Sequence, residues 1–157
     1  MRRLLLVIFS LFFLGACNQI DSPEANKHAP PDVSNISNSI KDGTYCFNKR
    51  FNQDVTDIQL TIVGSAVTGR MDWVPYEKDS ARGTLQGNKN AAGELELLYD
   101  YMIEGSQQTE TKIMKIEDGK LLVKVGELLD PKNDGNLIYK DINQAKFSEI
   151  LEPVNCK

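Results

Sequence analysis

The stretch from Val55 to Val74 reads VTDIQLTIVGSAVTGRMDWV and decides the fold of this chain. Apolar and polar side chains alternate on both sides of Gly64-Ser65, which is the period of a β-strand with one buried face. A glycine at the first position of a two-residue loop suits a type II′ hairpin, because glycine accepts positive φ there. Gly69 lies on the inner face and marks a bend or bulge. The side chains predicted to face the core are Ile58, Leu60, Ile62, Val67, Met71 and Trp73.

The same alternation continues along the chain and predicts further short strands. Together with the two strands of the hairpin described above, the predicted strands span residues 43–49, 55–63, 66–74, 82–87, 94–103, 109–117, 120–125 and 136–139. Asp118-Gly119 is a strong signal for a type I′ hairpin. Leu98 and Met102 interrupt the polar face of the longest strand, so we expect that face to be partly covered. Residues 145–151 suggest one or two helical turns before Pro153.

Seven or eight short strands with turn signals about every ten residues are typical of antiparallel sandwiches and barrels. Because consecutive strands read as hairpins, we expect an all-β, antiparallel up-and-down meander that closes into a small barrel or half-barrel. A β-sandwich is the alternative. The strand pattern is similar in general shape to the lipocalin-like barrels, and a shared shape implies little about function.

The first seventeen residues have the layout of a secretory signal. Arg2 and Arg3 precede an apolar run from Leu4 to Leu14, which is shorter than the roughly 20 residues of a membrane-spanning helix. Leu14-Gly15-Ala16-Cys17 resembles the lipobox of bacterial lipoprotein precursors. That resemblance implies a diacylglycerol on the Cys17 sulfur, removal of residues 1–16, and acylation of the new amino terminus with a fatty acid such as palmitate.

The resemblance also implies a membrane-anchored location and a three-part organisation. Residues 1–16 are the signal peptide, residues 17–41 a lipidated flexible tether, and residues 42–157 the β domain. The tether is rich in Pro, Asn and Ser and has too few apolar side chains to offset the entropy of ordering. Asn18 is not the Asp that retains some lipoproteins at the inner membrane, which favours the outer membrane, on its periplasmic or exposed side. The mature domain resembles small, functionally uncharacterised β-barrel lipoproteins.

Cys46 and Cys156 remain after lipidation of Cys17 and lie 110 positions apart. Export places them in an oxidising compartment, which predicts a disulfide between them; two buried free thiols are the alternative. Loss of Arg2 and Arg3, the only charged side chains before Cys17, takes the formal charge from −4 to −6. An acidic balance argues against nucleic acid as a partner, because phosphates require clustered Lys and Arg.

The sequence predicts neither an enzyme nor a metal or cofactor site. The only histidine is His28 in the tether, so the domain has no nucleophile–base pair that uses imidazole. Glu96, Asp100 and Glu104 alternate onto the outer face of their strand, where a solvated sheet carries charge. The run Asp130–Asn136 resembles a calcium loop only in part, because Lys132 occupies a ligand position, and we expect a plain polar turn.

These observations favour a non-enzymatic binding module, held at the membrane by its lipid, for a protein or small-molecule ligand. The connector after Trp73 mixes aromatic and charged residues, and loops on rigid β scaffolds often bind partners. The residues predicted to contact a partner are Trp73, Tyr76 and Arg82. An envelope-maintenance protein without a ligand is the second hypothesis, and an inhibitor of a hydrolase is the third.

Overall fold

The computed structural model describes residues 40–157, so the lipobox, Cys17 and most of the predicted tether lie outside the described residues. Within residues 40–157 no helix is long and apolar enough to cross a bilayer. The chain from Gly43 to Val154 forms ten strands. They are β1 (Gly43–Phe51), β2 (Asp54–Val63), β3 (Ala66–Val74), β4 (Ala81–Lys89), β5 (Glu94–Ile103), β6 (Ser106–Glu117), β7 (Lys120–Val125), β8 (Leu128–Leu129), β9 (Asn136–Tyr139) and β10 (Lys146–Val154).

Eight of these strands form a closed antiparallel barrel. β1 to β7 pair in sequence order, β10 pairs with β7, and β10 returns to β1. This confirms the predicted meander and selects the closed barrel over the half-barrel and the sandwich. β8 and β9 lie outside the ring: β9 pairs with β6 in parallel over two residues, and β8 pairs with β9.

The two hairpins predicted from turn residues have the expected geometry. β2 and β3 pair from Val63 opposite Ala66 to Val55 opposite Val74, and Gly64 has φ 61°. Asp118 and Gly119 have φ 51° and 78°, as a type I′ turn requires. A further turn at 104–105 has φ 51° and 74° and lets β6 begin at Ser106, earlier than predicted.

The inward side chains fill the barrel as the alternation predicted. Eighteen hydrophobic side chains of the described residues are buried, with Leu60, Ile62 and Leu95 fully so. Gly69 keeps β3 close to β2, because a Cβ there would lie 2.1 Å from the carbonyl oxygen of Gln59. Gly83 of β4 does the same against β5, where a Cβ would lie 2.0 Å from the carbonyl oxygen of Asp100. These glycines allow the close strand approach of a small, strongly coiled barrel.

The predicted helical turns at 145–151 are wrong, because this segment is the closing strand β10. Two features hide its alternation in the sequence. The register against β7 shifts between Phe147 and Glu149, so that Ser148 is an extra residue of the kind that a β-bulge inserts. The next residue on the inner face is the charged Glu149. The prediction that the outer face of β5 is partly covered is also wrong, since Leu98 and Met102 are 47% and 48% exposed.

The first and last strands meet over a short ladder. Only Cys46, Phe47 and Asn48 of β1 are paired with residues of β10. The predicted disulfide between Cys46 and Cys156 is present, with its Cα atoms 5.3 Å apart. It joins β1 to the residues that follow β10 and therefore reinforces the closure of the barrel.

We expect loss of this disulfide to lower the free energy of unfolding substantially. A loop of 110 residues gives an upper value of about 4–5 kcal/mol from chain entropy. Urea unfolding with and without reductant measures the effect. The Cys46→Ala/Cys156→Ala variant is the control, since its stability should be low and insensitive to reductant. A reductant effect of equal size in that variant would contradict the assignment.

Candidate functional site at the open end of the barrel

The two ends of the barrel differ in how they are closed. One end contains the turns at 64–65, 90–93 and 118–119 and the disulfide. We call it the seam end, because the first and last strands pair there. Its core is capped by Ile40, Tyr45 and Ile116, which pack against the buried cluster. Turn residues there surround a depression of about 690 Å³. The opposite end, which we call the mouth, contains the turn at 52–53, the connector 75–80 and the turn at 104–105.

The mouth is open because β7 and β10 separate from both neighbouring strands as they approach it. These two strands stay paired with each other as far as Val125 opposite Lys146. On one side, however, the ladder between β1 and β10 ends at Asn48 opposite Glu152. On the other side, the ladder between β6 and β7 ends at Met114 opposite Val123. At these two contacts, the barrel wall is therefore held by backbone hydrogen bonds at the seam end and by side chains nearer the mouth.

Tyr139 of β9 occupies the point where β6 and β7 separate. Its hydroxyl donates a hydrogen bond to the carbonyl oxygen of Lys124, 2.7 Å away, and faces the backbone amide of Ile113. Burial raises the pKa of this phenol. Ile113 points out of the barrel but is buried, while Gly126 lies against Ala145 and the Tyr139 ring. Thus Tyr139 connects two strand edges that no longer pair directly.

Two adjoining cavities occupy the mouth. The inner cavity has a volume of about 210 Å³ and lies between the aromatic residues of β5 and the polar inner face of β6. The outer cavity, of about 330 Å³, is bordered by Lys49, Phe51 and Asp54. Thr56, Trp73 and Glu149 line both cavities and so connect them. Pockets of a few hundred Å³ match the lower end of the range for small-molecule sites.

Two ion pairs border this mouth, of which one is largely buried and the other is partly exposed. The ammonium of Lys112 lies 2.5 Å from the carboxylate of Glu110, and both side chains are less than a fifth exposed. The ammonium of Lys49 lies 2.9 Å from the carboxylate of Glu149 and bridges β1 and β10 beyond the end of their ladder. Charged side chains are rarely placed on the inner face of a sheet, because desolvation costs several kcal/mol per ion.

Stacked tyrosines form one wall of the inner cavity. The rings of Tyr99 and Tyr101 lie 4.5 Å apart and nearly parallel. The Tyr99 hydroxyl donates to the carbonyl oxygen of Met71 at 2.9 Å, reaching across β4, and the Tyr101 hydroxyl bonds Gln108 at 3.0 Å. Burial raises the pKa of both phenols, and nearby carboxylates, including Glu110, raise it further. Both groups are therefore neutral donors at physiological pH.

The structure separates the three residues predicted to contact a partner. Trp73 faces inward, as predicted, and lines both cavities while remaining 38% exposed. Tyr76 lies on the exposed connector beside the mouth, with its backbone amide held by Asp54 at 2.7 Å. Arg82 lies on the outer face of β4, where it bonds Asp72 at 3.2 Å. Trp73 and Tyr76 thus belong to the mouth, and Arg82 belongs to the outer wall.

The other candidate residues occupy the positions expected of solvated groups. Glu96, Asp100 and Glu104 are outside the barrel. Asp130 accepts hydrogen bonds from three backbone amides of its own turn, those of Lys132, Asp134 and Gly135. These bonds, chiefly that from Gly135, hold the pKa of the Asp130 carboxyl below its usual value. Across residues 40–157 no group of three or more His, Cys, Asp or Glu side chains could hold a metal ion.

None of the five charged residues that line the mouth was predicted from the sequence. Three of them pair with buried, inward-facing residues and therefore face the inside of the barrel themselves. They are Glu110 opposite Tyr99, Lys112 opposite Leu97, and Glu149 opposite Val123. The alternation of β6 contained a signal for the first two, because Met114 and Ile116 fix its inward face. Extending that face by two and four residues from Met114 reaches Lys112 and Glu110.

Comparison of the chain with protein-family models, with curated proteins and with solved structures finds no match in any of the three.

We expect the free energy of unfolding to fall as the pH rises above about 10. The folded-state pKa values of Tyr99, Tyr101 and Tyr139 exceed the ordinary value of 10.0, so unfolding at high pH releases protons and becomes easier. The Tyr99→Phe variant should lose about 1 kcal/mol near neutral pH with the Met71 hydrogen bond, and should show a shallower alkaline decline.

Urea unfolding at a series of pH values measures both effects. Tyr76→Phe is the matched control near neutral pH, because Tyr76 is 50% exposed and its replacement should leave stability unchanged. Equal alkaline slopes for the protein and the Tyr99→Phe variant would contradict the role of Tyr99.

Proposed function

We propose that this protein is a lipid-anchored envelope lipoprotein whose barrel binds a ligand in its mouth without transforming it. The observation that carries the proposal is the pair of inward ion pairs, Lys49–Glu149 and Glu110–Lys112, beside an aromatic wall in an open cavity. A barrel of eight strands can fill its interior with apolar side chains alone. Here the interior is filled at the seam end, and the mouth is left open and polar.

Stability alone gives no reason for the largely buried pair Glu110–Lys112. Replacing a buried ion pair by apolar side chains of similar volume is often neutral or stabilising, because desolvation offsets much of the Coulomb attraction. A polar group inside a pocket can instead fix the orientation of a ligand and provide specificity. The charges, the aromatic rings and the adjoining cavities together support binding over a purely structural role.

The position of the mouth suits a protein tethered by its amino-terminal segment. Ile40 packs at the seam end, where Lys89 donates a hydrogen bond to its carbonyl oxygen at 2.9 Å. The chain therefore enters the barrel at the end opposite the mouth. If Cys17 carries the lipid, as the lipobox resemblance implies, this arrangement lets the mouth face away from the membrane surface.

The absence of enzymatic activity is part of the proposal. Each of the inward carboxylates Glu110 and Glu149 has a lysine ammonium within 2.9 Å. A carboxylate that is paired in this way is better suited to binding than to general acid catalysis, because a general acid must carry a proton. The envelope-maintenance and hydrolase-inhibitor hypotheses are alternatives without a specific structural feature in their favour.

The anchor predicts a specific intact mass for the protein purified from its native membrane. The mass should correspond to residues 17–157 with about three acyl chains, in accordance with the stable attachment that more than one chain provides. Reduction should add two daltons through the Cys46–Cys156 bond. The Cys17→Ser variant should retain residues 1–16 and carry no lipid. A native protein without lipid would contradict the anchor.

The mouth predicts that protein from native membranes carries a small molecule that native mass spectrometry detects and that denaturation releases. Ala81→Phe should abolish retention, because Ala81 is buried and lines the inner cavity. Ala66→Phe is the matched control, since Ala66 is an exposed residue of β3. Equal retention by both variants, or no bound molecule in the unmodified protein, would contradict a ligand site in the mouth.

A further inference from the structure

We infer that the mouth selects an organic cation, namely an amine with a flat apolar body, over neutral and anionic molecules of the same size. This inference rests on the proposed binding function and concerns the charge of the ligand. It follows from three features of the mouth: an excess of carboxylates, exposed aromatic surface, and an ion pair whose cationic partner is the more exposed one.

Carboxylates outnumber ammonium groups among the residues that line the two cavities. Glu110, Glu149 and Asp54 are acidic, whereas Lys49 and Lys112 are basic. The connector 75–80 and the turn at 104–105 add Glu77, Asp79 and Glu104 against Lys78 at the rim. The mouth therefore has a net negative charge, which raises the local concentration of cations and lowers that of anions.

Aromatic rings border the same space. Trp73 lines both cavities, the stacked Tyr99 and Tyr101 border the inner one, and Phe51 borders the outer one at 66% exposure. The face of an aromatic ring attracts a cation through its quadrupole, most strongly for tryptophan. Another part of this chain uses the same interaction, since the ammonium groups of Lys115 and Lys124 lie within 5 Å of the Phe147 ring centre, at 4.9 and 4.8 Å.

The pair Lys49–Glu149 gives the cation a place to bind. Glu149 is 26% exposed and lines both cavities, whereas Lys49 is 39% exposed and lies only along the outer one. A lysine ammonium sits on a flexible four-carbon stem and can return to water at little cost. An incoming amine can therefore replace Lys49 at Glu149, while its apolar body contacts Trp73.

The test uses three probes of similar size, which are benzylammonium, benzyl alcohol and benzoate. Trp73 is the only tryptophan of the chain, so its fluorescence reports occupancy of the mouth directly. We expect benzylammonium to bind the purified full protein in non-ionic detergent most tightly and benzoate most weakly. Tightest binding of benzoate or benzyl alcohol, or no response of Trp73 to any probe, would overturn the inference.

Two variants on the ion pair give opposite expectations. Glu149→Gln should weaken benzylammonium about tenfold and leave benzyl alcohol unchanged, since it removes a charge-assisted contact. Lys49→Met should strengthen benzylammonium several-fold by freeing the carboxylate. Glu152→Gln is the matched control, because Glu152 is also paired with a lysine, Lys120, but lies outside the mouth. Weaker binding of benzylammonium by Lys49→Met would overturn the inference.

Failure of this inference and failure of the proposed function give different results. If the mouth binds a ligand of another charge, the native mass experiment still finds a molecule that Ala81→Phe loses, while the probe series ranks benzoate or benzyl alcohol first. If the mouth binds nothing, neither experiment gives a signal that depends on residues of the mouth.

Discussion

The closure of the ring between β1 and β10 is the constraint on which the rest of the structure depends. In this barrel, the alternation of apolar and polar residues encloses a core because the sheet curls until its first and last strands meet. In this chain they meet over three residue pairs, and the disulfide from Cys46 to Cys156 reinforces that contact from outside the ladder. Without it, β1 and β10 would be exposed edges with unpaired backbone groups.

The short closure also explains why the barrel has one open end. A ladder that continued past Asn48 would bring Lys49 and Phe51 against β10 and close the gap that the outer cavity occupies. The chain places a side-chain ion pair there instead, and a tyrosine hydroxyl at the corresponding gap between β6 and β7. Partly exposed ion pairs contribute at most about 1 kcal/mol, less than the ladder they replace. Fewer backbone hydrogen bonds therefore hold the wall at these two gaps, where the proposed binding site needs room.

Much of the fold could be predicted because local signals and global structure agree. The hairpin β2–β3 was predicted to within one residue, since Gly64-Ser65 fixes the register and six inward side chains fix the face. β10 could not be predicted this way, because a shifted register and an inward Glu149 remove the period on which the argument relies.

The candidate site was predictable only in part for a related reason. Trp73 was placed correctly because an aromatic ring on an inner face fits the alternation. Glu110 and Lys112 were missed because polar residues are expected on the outer face, and only the register of a known inner face reveals the exception. A site built from charged residues inside a barrel contradicts the simplest pattern rule, and such contradictions concentrate at functional positions.

The entry of the chain at Ile40, opposite the mouth, has a mechanical consequence. In the anchored, ligand-binding role proposed above, a load between a molecule in the mouth and the membrane would run from one end of the barrel to the other. Its larger component would lie along the tilted strands, across the hydrogen bonds that join them. Strands loaded lengthwise slide past one another only when many bonds break together, whereas strands peeled sideways lose them one by one. The disulfide between Cys46 and Cys156 distributes a force that enters through β1 between the first and last strands. In the lipid-anchored binding role proposed above, traction on a bound molecule would therefore load the domain in the direction in which its strands resist it best.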